Sequence, residues 1–204
     1  MSSKPINVAA LILIMLSYGC GKKKSDSNSI DGTWKSSCLS ASGVYATDTL
    51  VFNGNNLTEM VSSYTDSGCT QIADTITATF TLVITAVNTV PPYNHIDATI
   101  VSIQNLPATS AAATNYNNIS FCGFTNWAVG VPQEIAGISS CGIKASGTTI
   151  HQVYAINTSV NGSTASTNTI NIGQGFSGNG PDFYDQAANS GYPFTLMAGG
   201  YQRQ

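Results

Sequence analysis

The stretch TITATFTLVIT, residues 75–85, constrains the fold of this chain more than any other segment. Apolar residues alternate with threonines along it, and the apolar set is Ile76, Ala78, Phe80, Leu82 and Ile84. Successive side chains of a strand point to opposite faces, whereas a helix would scatter this set around its axis. The segment therefore predicts a β-strand with one buried apolar face.

Seven further runs rich in Thr, Val, Ile and aromatic residues are bounded by Gly, Ser and Asn, as strands are. They cover residues 32–38, 44–53, 57–66, 95–104, 149–157, 167–172 and 194–202. Charged residues make up only 8% of the chain, which disfavours long surface helices and favours Thr-bearing strands. We therefore predict an all-β domain, an antiparallel eight-stranded barrel, with a β-sandwich as the alternative.

Two segments interrupt the strand pattern. Residues 108–143 contain two cysteines that bracket Trp127, and a helical turn is expected around residues 131–136. Residues 173–193 are glycine-rich and include a helix candidate at 182–189. Long ordered connections of this kind often carry function, so both segments are candidate binding surfaces.

The charge balance argues against a nucleic-acid partner. From Ile30 onward there are three basic residues and nine acidic ones, a net charge of −6. Binding to a phosphate backbone requires a basic patch, and this sequence offers none.

The cysteines fit an exported protein. Apart from Cys20 there are four, an even number, and two disulfides are the simplest interpretation. Four cysteines allow three pairings; pairing neighbours, Cys38 with Cys69 and Cys122 with Cys141, closes the shortest loops and is our prediction. No CxxC motif occurs, and the histidines are distant from the cysteines in sequence, so no metal site is expected.

The N-terminus has the layout of a secretory signal, with an early Lys4 and an apolar stretch at residues 6–16 that is too short to span a bilayer. Residues 16–20, LSYGC, resemble the lipobox of bacterial lipoproteins, although Ser17 stands where that family usually has leucine. The resemblance implies a signal peptide at 1–19 and acylation of Cys20, for example with palmitate. Glycine at position 21 implies sorting to the outer membrane of a bacterial cell envelope.

Residues 20–30, the lipidated cysteine and a polar run containing three adjacent lysines, are predicted to form a solvated tether. The lysines could add contacts to anionic lipid head groups. The folded all-β domain is expected to occupy residues 31–204.

The run Gly32-Thr33-Trp34 resembles the G-x-W signature of lipocalins, and the sole arginine, Arg203, lies near the chain end. In that family a late arginine packs over the tryptophan and closes one end of the barrel. The resemblance implies this role for Trp34 and Arg203, held by cation–π attraction and hydrogen bonds to nearby carbonyls. Lipocalins place their main helix between the last strands, and the excursion at 108–143 has no counterpart there.

Motifs of enzymes give no coherent active site. Residues 173–178 spell GxGxxG, but no strand–helix unit surrounds them, and the nucleophile motif GxSxG is missing from the sequence. Asp182 and Asp185 could offer oxygens to calcium, but a role at a helix N-terminus explains them better. His151 alternates with Val153 on a predicted strand, as a structural or surface histidine would. We expect neither enzymatic activity nor a cofactor.

Two functional hypotheses remain. In the first, the barrel binds a small hydrophobic or amphipathic ligand; Phe80, Leu82, Ile96 and Ile100 line its interior, and Phe121, Phe124 and Trp127 form a lid. In the second, the core is filled by side chains, and exposed loop aromatics contact a protein or glycan. Those aromatics would be Tyr116, Trp127, Phe183 and Tyr184.

Overall fold

The computed structural model describes residues 29–41, 43–86, 93–157, 168–173 and 200–204. Expectations for the signal peptide, Cys20, most of the tether and the helix at 182–189 lie outside these residues. The strands are β1 Gly32–Lys35, β2 Leu39–Ala41, β3 Val44–Asn53, β4 Asn56–Tyr64, β5 Ile72–Thr85, β6 Asn94–Pro107, β7 Gln133–Glu134, β8 Thr149–Ile156, β9 Thr169–Ile172 and β10 Tyr201–Arg203. Within the described residues one α-helix, α1, spans Ser110–Asn118, and short 3-10 turns lie at Phe121–Gly123 and Ser139–Cys141.

Eight of these strands form a closed antiparallel barrel. Their order is β1-β10-β9-β8-β6-β5-β4-β3, and β3 pairs with β1 to complete the circle. The remaining two strands extend the sheet, because β2 pairs with β3 and β7 pairs with β6. The predicted all-β eight-stranded barrel is therefore confirmed, and the sandwich alternative is wrong.

The strand directions define two ends of the barrel. At one end, which we call the Trp34 end, β1 begins, β10 finishes and β3 turns into β4 at residues 53–56. At the other, the Pro107 end, β4 turns into β5 and β6 finishes. The described chain thus enters the barrel at the Trp34 end.

A bulge in β6 changes which residues face the interior. Thr79 pairs with Ser102 but Phe80 pairs with Ile100, so Val101 is an extra residue, and its side chain is 51% exposed. Such a bulge shifts the alternation by one position. As a result both Ile100 and Ile103 face inward, and both are buried.

The excursion between β6 and β8 differs from the sequence expectation. The predicted helical turn at 131–136 is wrong, because β7 lies there and pairs with the part of β6 that extends past β8. Instead, α1 forms earlier: the Thr109 hydroxyl accepts a hydrogen bond from the Ala112 backbone N–H, and a run of alanines follows. Within the described part of the chain, no helix is both long and apolar enough to cross a membrane.

Candidate functional site

The Trp34 end of the barrel is closed by a tryptophan–arginine contact. The Arg203 guanidinium lies 4.8 Å from the centroid of the Trp34 ring, and Trp34 is fully buried. The indole N–H donates to the Ile30 carbonyl at 2.7 Å. Arg203 Nη2 donates to the carbonyls of Ser29, at 3.2 Å, and Asp31. One arginine thereby joins β1, β10 and the entering chain, the arrangement implied by the lipocalin resemblance.

Gly32 makes room for this contact. Its backbone φ is +133°, and a Cβ placed there would lie 3.2 Å from Arg203 Nε. Residues with side chains rarely adopt such a φ, and here the side chain would also press on the guanidinium. The first residue of the G-x-W run is therefore explained by the arginine beneath it.

The residues predicted to line the interior do so. Phe80 and Leu82 on β5 and Ile96 and Ile100 on β6 share the inward face, since Phe80 pairs with Ile100 and Leu82 with Ala98. Each has at most 3% of its surface exposed. Ile103 of β6 and residues of other strands complete the apolar lining, namely Leu50, Phe52, Leu57, Ile150, Ile170 and Ile172.

Sequence reasoning missed a set of polar side chains inside the same barrel. Asp48, Glu59, Asn105 and Gln152 lie on inward positions of β3, β4, β6 and β8 and have at most 6% of their surface exposed. The Tyr201 hydroxyl donates to Asp48 Oδ2 at 2.6 Å. A signal was available in β4, where Glu59 sits between Leu57 and Val61 in the apolar phase of the alternation.

Four aromatic rings form a cluster beside the Pro107 end. Tyr116 of α1 stacks on Phe121 with ring centroids 4.5 Å apart, and both contact Trp127. Phe124 meets Trp127 edge-on at 5.7 Å. Trp127 is 3% exposed and belongs to the barrel's hydrophobic core, whereas the other three rings are half-buried. The expectation that Trp127 would be an exposed contact residue is therefore wrong; Phe183 and Tyr184 lie outside the described residues.

The excursion that carries this aromatic cluster is held in place by polar and covalent links. The Asn117 side chain donates to the Trp127 carbonyl at 2.9 Å and accepts from its N–H at 2.7 Å. The Gly130 N–H donates to the Pro107 carbonyl at 2.9 Å. A disulfide joins Cys122 to Cys141. These links fix the cluster against the end of β6.

A tyrosine connects the aromatic cluster to the polar interior. The Tyr116 hydroxyl donates to Asp74 Oδ2. Burial raises the pKa of Tyr116 strongly, and the hydrogen bond to Asp74 adds to the rise. The Asn105 amide is close enough to oppose this pKa shift, yet neither of its polar atoms makes a hydrogen bond of ordinary geometry.

The second disulfide joins Cys38 to Cys69, with 5.9 Å between their Cα atoms. It ties the segment after β1 to the turn between β4 and β5, and both predicted pairings are thus present. In that turn Asp66 accepts hydrogen bonds from the N–H groups of Gly68, Thr70 and Gln71. These bonds, that of Gln71 above all, hold the pKa of Asp66 below its usual value.

On the outer surface His151 Nδ1 lies 2.7 Å from Asp97 Oδ1, and both side chains are about one-third exposed. His151 is thus a surface residue. Across the described ranges, no three His, Cys, Asp or Glu side chains are grouped so that they could hold a metal ion.

Comparison with known proteins does not assign this chain to a family. Neither a scan against models of protein families nor a search of curated proteins finds a match to this chain.

Proposed function

We propose that this protein binds one small hydrophobic or amphipathic molecule inside its barrel. The supporting observation is the combination of a sealed Trp34 end with an interior in which polar side chains are set among apolar ones. Ligand sites are mostly apolar with a few placed polar groups, and an eight-stranded barrel has room for either packed side chains or one small ligand.

The aromatic cluster of Tyr116, Phe121, Phe124 and Trp127 fits the role of a gate in this proposal. It lies beside the end opposite the Trp34 closure and is anchored to the barrel through the Asp74–Tyr116 hydrogen bond. Three of its rings keep partial exposure, so they could contact a ligand on entry.

We further propose that the chain reaches the cell envelope as a lipoprotein anchored through Cys20, and that its activity is not enzymatic. The support is the lipobox-like sequence and the polar run that comes after it. Metabolic labelling tests the anchor: the wild-type chain should incorporate fatty acid and the Cys20→Ala variant should not. Labelling of the variant would refute the anchor.

A second function, contact with a protein or glycan partner, is supported by a different observation. Three apolar side chains of the excursion are exposed: Ile119 by 61%, Val129 by 48% and Val131 by 51%. Exposed apolar groups close together mark contact surfaces when they form a continuous patch.

Native mass spectrometry distinguishes the two. Residues 21–204 would be exported without the lipid to an oxidising periplasm and purified without detergent. A bound mass that leaves on denaturation supports the ligand-binding barrel. A mass equal to that of the disulfide-bonded chain alone supports the filled core and the surface-contact function.

A matched pair of variants tests the interior itself. Ala78 is fully buried and faces inward, and its neighbour Thr79 faces outward. If the core is filled, Ala78→Leu overpacks it and costs about 1–3 kcal/mol of stability. If a ligand occupies the space, Ala78→Leu displaces the ligand and leaves the apo protein as stable as the Thr79→Leu control.

A further inference from the structure

The polar side chains inside the barrel are arranged in neighbouring rows. One row crosses four adjacent strands as Asp48, Val61, Ile76 and Asn105. The next row, one step toward the Trp34 end, contains Leu50, Glu59, Ala78 and Ile103. Asp48, Glu59 and Asn105 therefore share the inner face at the level where the barrel approaches its Pro107 end.

The acidic and basic side chains on this inner face are unequally placed. Asp48 and Glu59 are acidic and buried, and Asp74 lies one row further toward the Pro107 end. Among the described residues with inward positions, Arg203 is the basic residue. It packs against Trp34, at the end of the barrel opposite these carboxyl groups. A ligand entering from the Pro107 end meets these carboxyl groups and, among the described inward side chains at that end, no cation, so a negatively charged head group would be buried without a counter-charge, which is costly.

Asn105 supplies an independent reason to expect a ligand here. Its side chain is fully buried close to the Tyr116 hydroxyl, yet neither Oδ1 nor Nδ2 makes a hydrogen bond of ordinary geometry within the described structure. Native proteins rarely leave a buried amide in this state, and each such group calls for a specific partner. An amide needs both a donor and an acceptor, which a ligand head group could provide.

We propose that the head group of the ligand lies against Asn105 and faces Glu59, and that it donates hydrogen bonds and carries no negative charge. The apolar tail then extends toward Phe80, Leu82 and Ile96. This inference rests on the proposed ligand-binding function and narrows it to amphiphiles with amine, hydroxyl or amide heads, excluding fatty acids and lipid phosphates.

Three ligands with the same tail and different heads test the proposal: dodecylamine, dodecanol and dodecanoate. Each is titrated into the wild-type chain, residues 21–204, below the concentration at which it forms micelles. We expect the amine and the alcohol to bind at least about tenfold more tightly than the carboxylate, because the carboxylate head would be buried beside carboxyl groups with no counter-charge.

Variants test which side chains cause the preference for amine and alcohol head groups. Glu59→Gln should reduce the ratio of amine to carboxylate affinity, and Asp48→Asn serves in its place if Glu59→Gln does not fold. Asn105→Leu should lower the affinity for dodecanol by about tenfold, the loss expected for one or two hydrogen bonds. Asp97→Asn removes a carboxyl from the outer surface and should leave all three affinities unchanged.

The outcomes distinguish the head-group assignment from the ligand-binding function. Carboxylate binding as tight as amine binding overturns the head-group assignment but leaves the ligand-binding barrel standing. Binding of none of the three overturns both. Since this comparison uses the wild-type chain, it decides the proposal even where a variant fails to fold.

Discussion

Arg203 and Trp34 lie opposite each other in the β1–β10 pairing, and the guanidinium covers the indole ring at 4.8 Å. Two strands from opposite ends of the described sequence are thereby joined at the point where the barrel closes. Because closure of the barrel depends on this pairing, we expect the stability of the whole fold to be sensitive to the contact.

Arg203→Ala should lower the free energy of unfolding by about 2 kcal/mol, because it removes the cation–π contact and the hydrogen bonds to backbone carbonyls. Arg203→Lys should recover only part of this, since an ammonium cannot stack flat on the ring while donating to two carbonyls. Urea denaturation measures both, with the exposed neighbour Gln202→Ala as control. Equal stability of the Ala variant and the control would show that the contact contributes nothing.

Gly32→Ala should be more destabilising than Gly43→Ala. Both glycines have positive φ, but only at Gly32 does an added Cβ meet another group, Arg203 Nε at 3.2 Å. Backbone strain costs about 1 kcal/mol or more at either position, and the clash adds to it at Gly32. Thermal unfolding of the two variants gives the comparison, and equal losses would refute a specific role for Gly32 under the arginine.

Tyr116→Phe should cost about 1–3 kcal/mol, because the hydroxyl that donates to the buried Asp74 carboxyl is removed. The raised pKa of Tyr116 also predicts a pH effect. Below pH 10.0, the ordinary tyrosine pKa, the neutral form is present in both states and its stabilisation is complete. Above it the unfolded chain ionises first, so stability falls as pH rises.

Ultraviolet absorbance during alkaline titration checks that shift. Burial also raises the pKa of Tyr154, so both tyrosines should titrate late. The Tyr116→Phe variant should lose one late-titrating group. If it instead loses a group that ionises near the ordinary tyrosine pKa, the described environment of Tyr116 is incorrect.

Asp66 should make the β4–β5 turn sensitive to acid. Its folded-state pKa is lowered, so its stabilisation is complete above the unfolded value of 3.8 and is lost as the pH falls through the folded pKa. Hydrogen exchange of the Gly68, Thr70 and Gln71 amides should accelerate selectively in that range relative to the β5 amides. In Asp66→Asn these amides should already exchange faster at neutral pH, with no further acid-specific change.

Removing the Cys38–Cys69 disulfide in a double alanine variant should cost roughly 3–4 kcal/mol on the chain-entropy model for a separation of 31 residues. The Cys122–Cys141 disulfide spans a shorter separation of 19 residues, so its removal in a matching double alanine variant should cost slightly less. Denaturation of both under identical conditions provides the test. The opposite order would mean that native contacts of the excursion outweigh loop entropy.

The barrel was predictable because alternation is a local property. Residues 75–85 show their inward and outward sides directly, and the strand at Val44–Asn53 has the bounds that its composition predicts. The bulge at Val101 was not predictable in the same way. The sequence indicates the bulge only through the spacing of Ile100 and Ile103, which are three residues apart. Whether both face inward depends on the register between β5 and β6.

The polar interior and the excursion depend on contacts between distant parts of the chain. Glu59 resembles a surface residue until its neighbours Leu50 and Ala78 are known to be buried. Residues 131–136 have no strong pattern of their own, and β7 exists because β6 extends past β8 and offers an edge. The sequence of 108–143 suggested a disulfide-held unit but not α1 or the edge strand.

Because the described chain enters at the Trp34 end, an N-terminal anchor would determine which end of the barrel faces the membrane. Whatever precedes Ser29 is attached to the sealed base of the barrel, so a lipid on Cys20 would hold the protein by that base, with the Pro107 end directed away from the bilayer. If the barrel binds a ligand as proposed, that ligand would then be exchanged with the aqueous compartment or with a partner approaching from it. Loading directly from the anchoring membrane would require the barrel to invert on its tether.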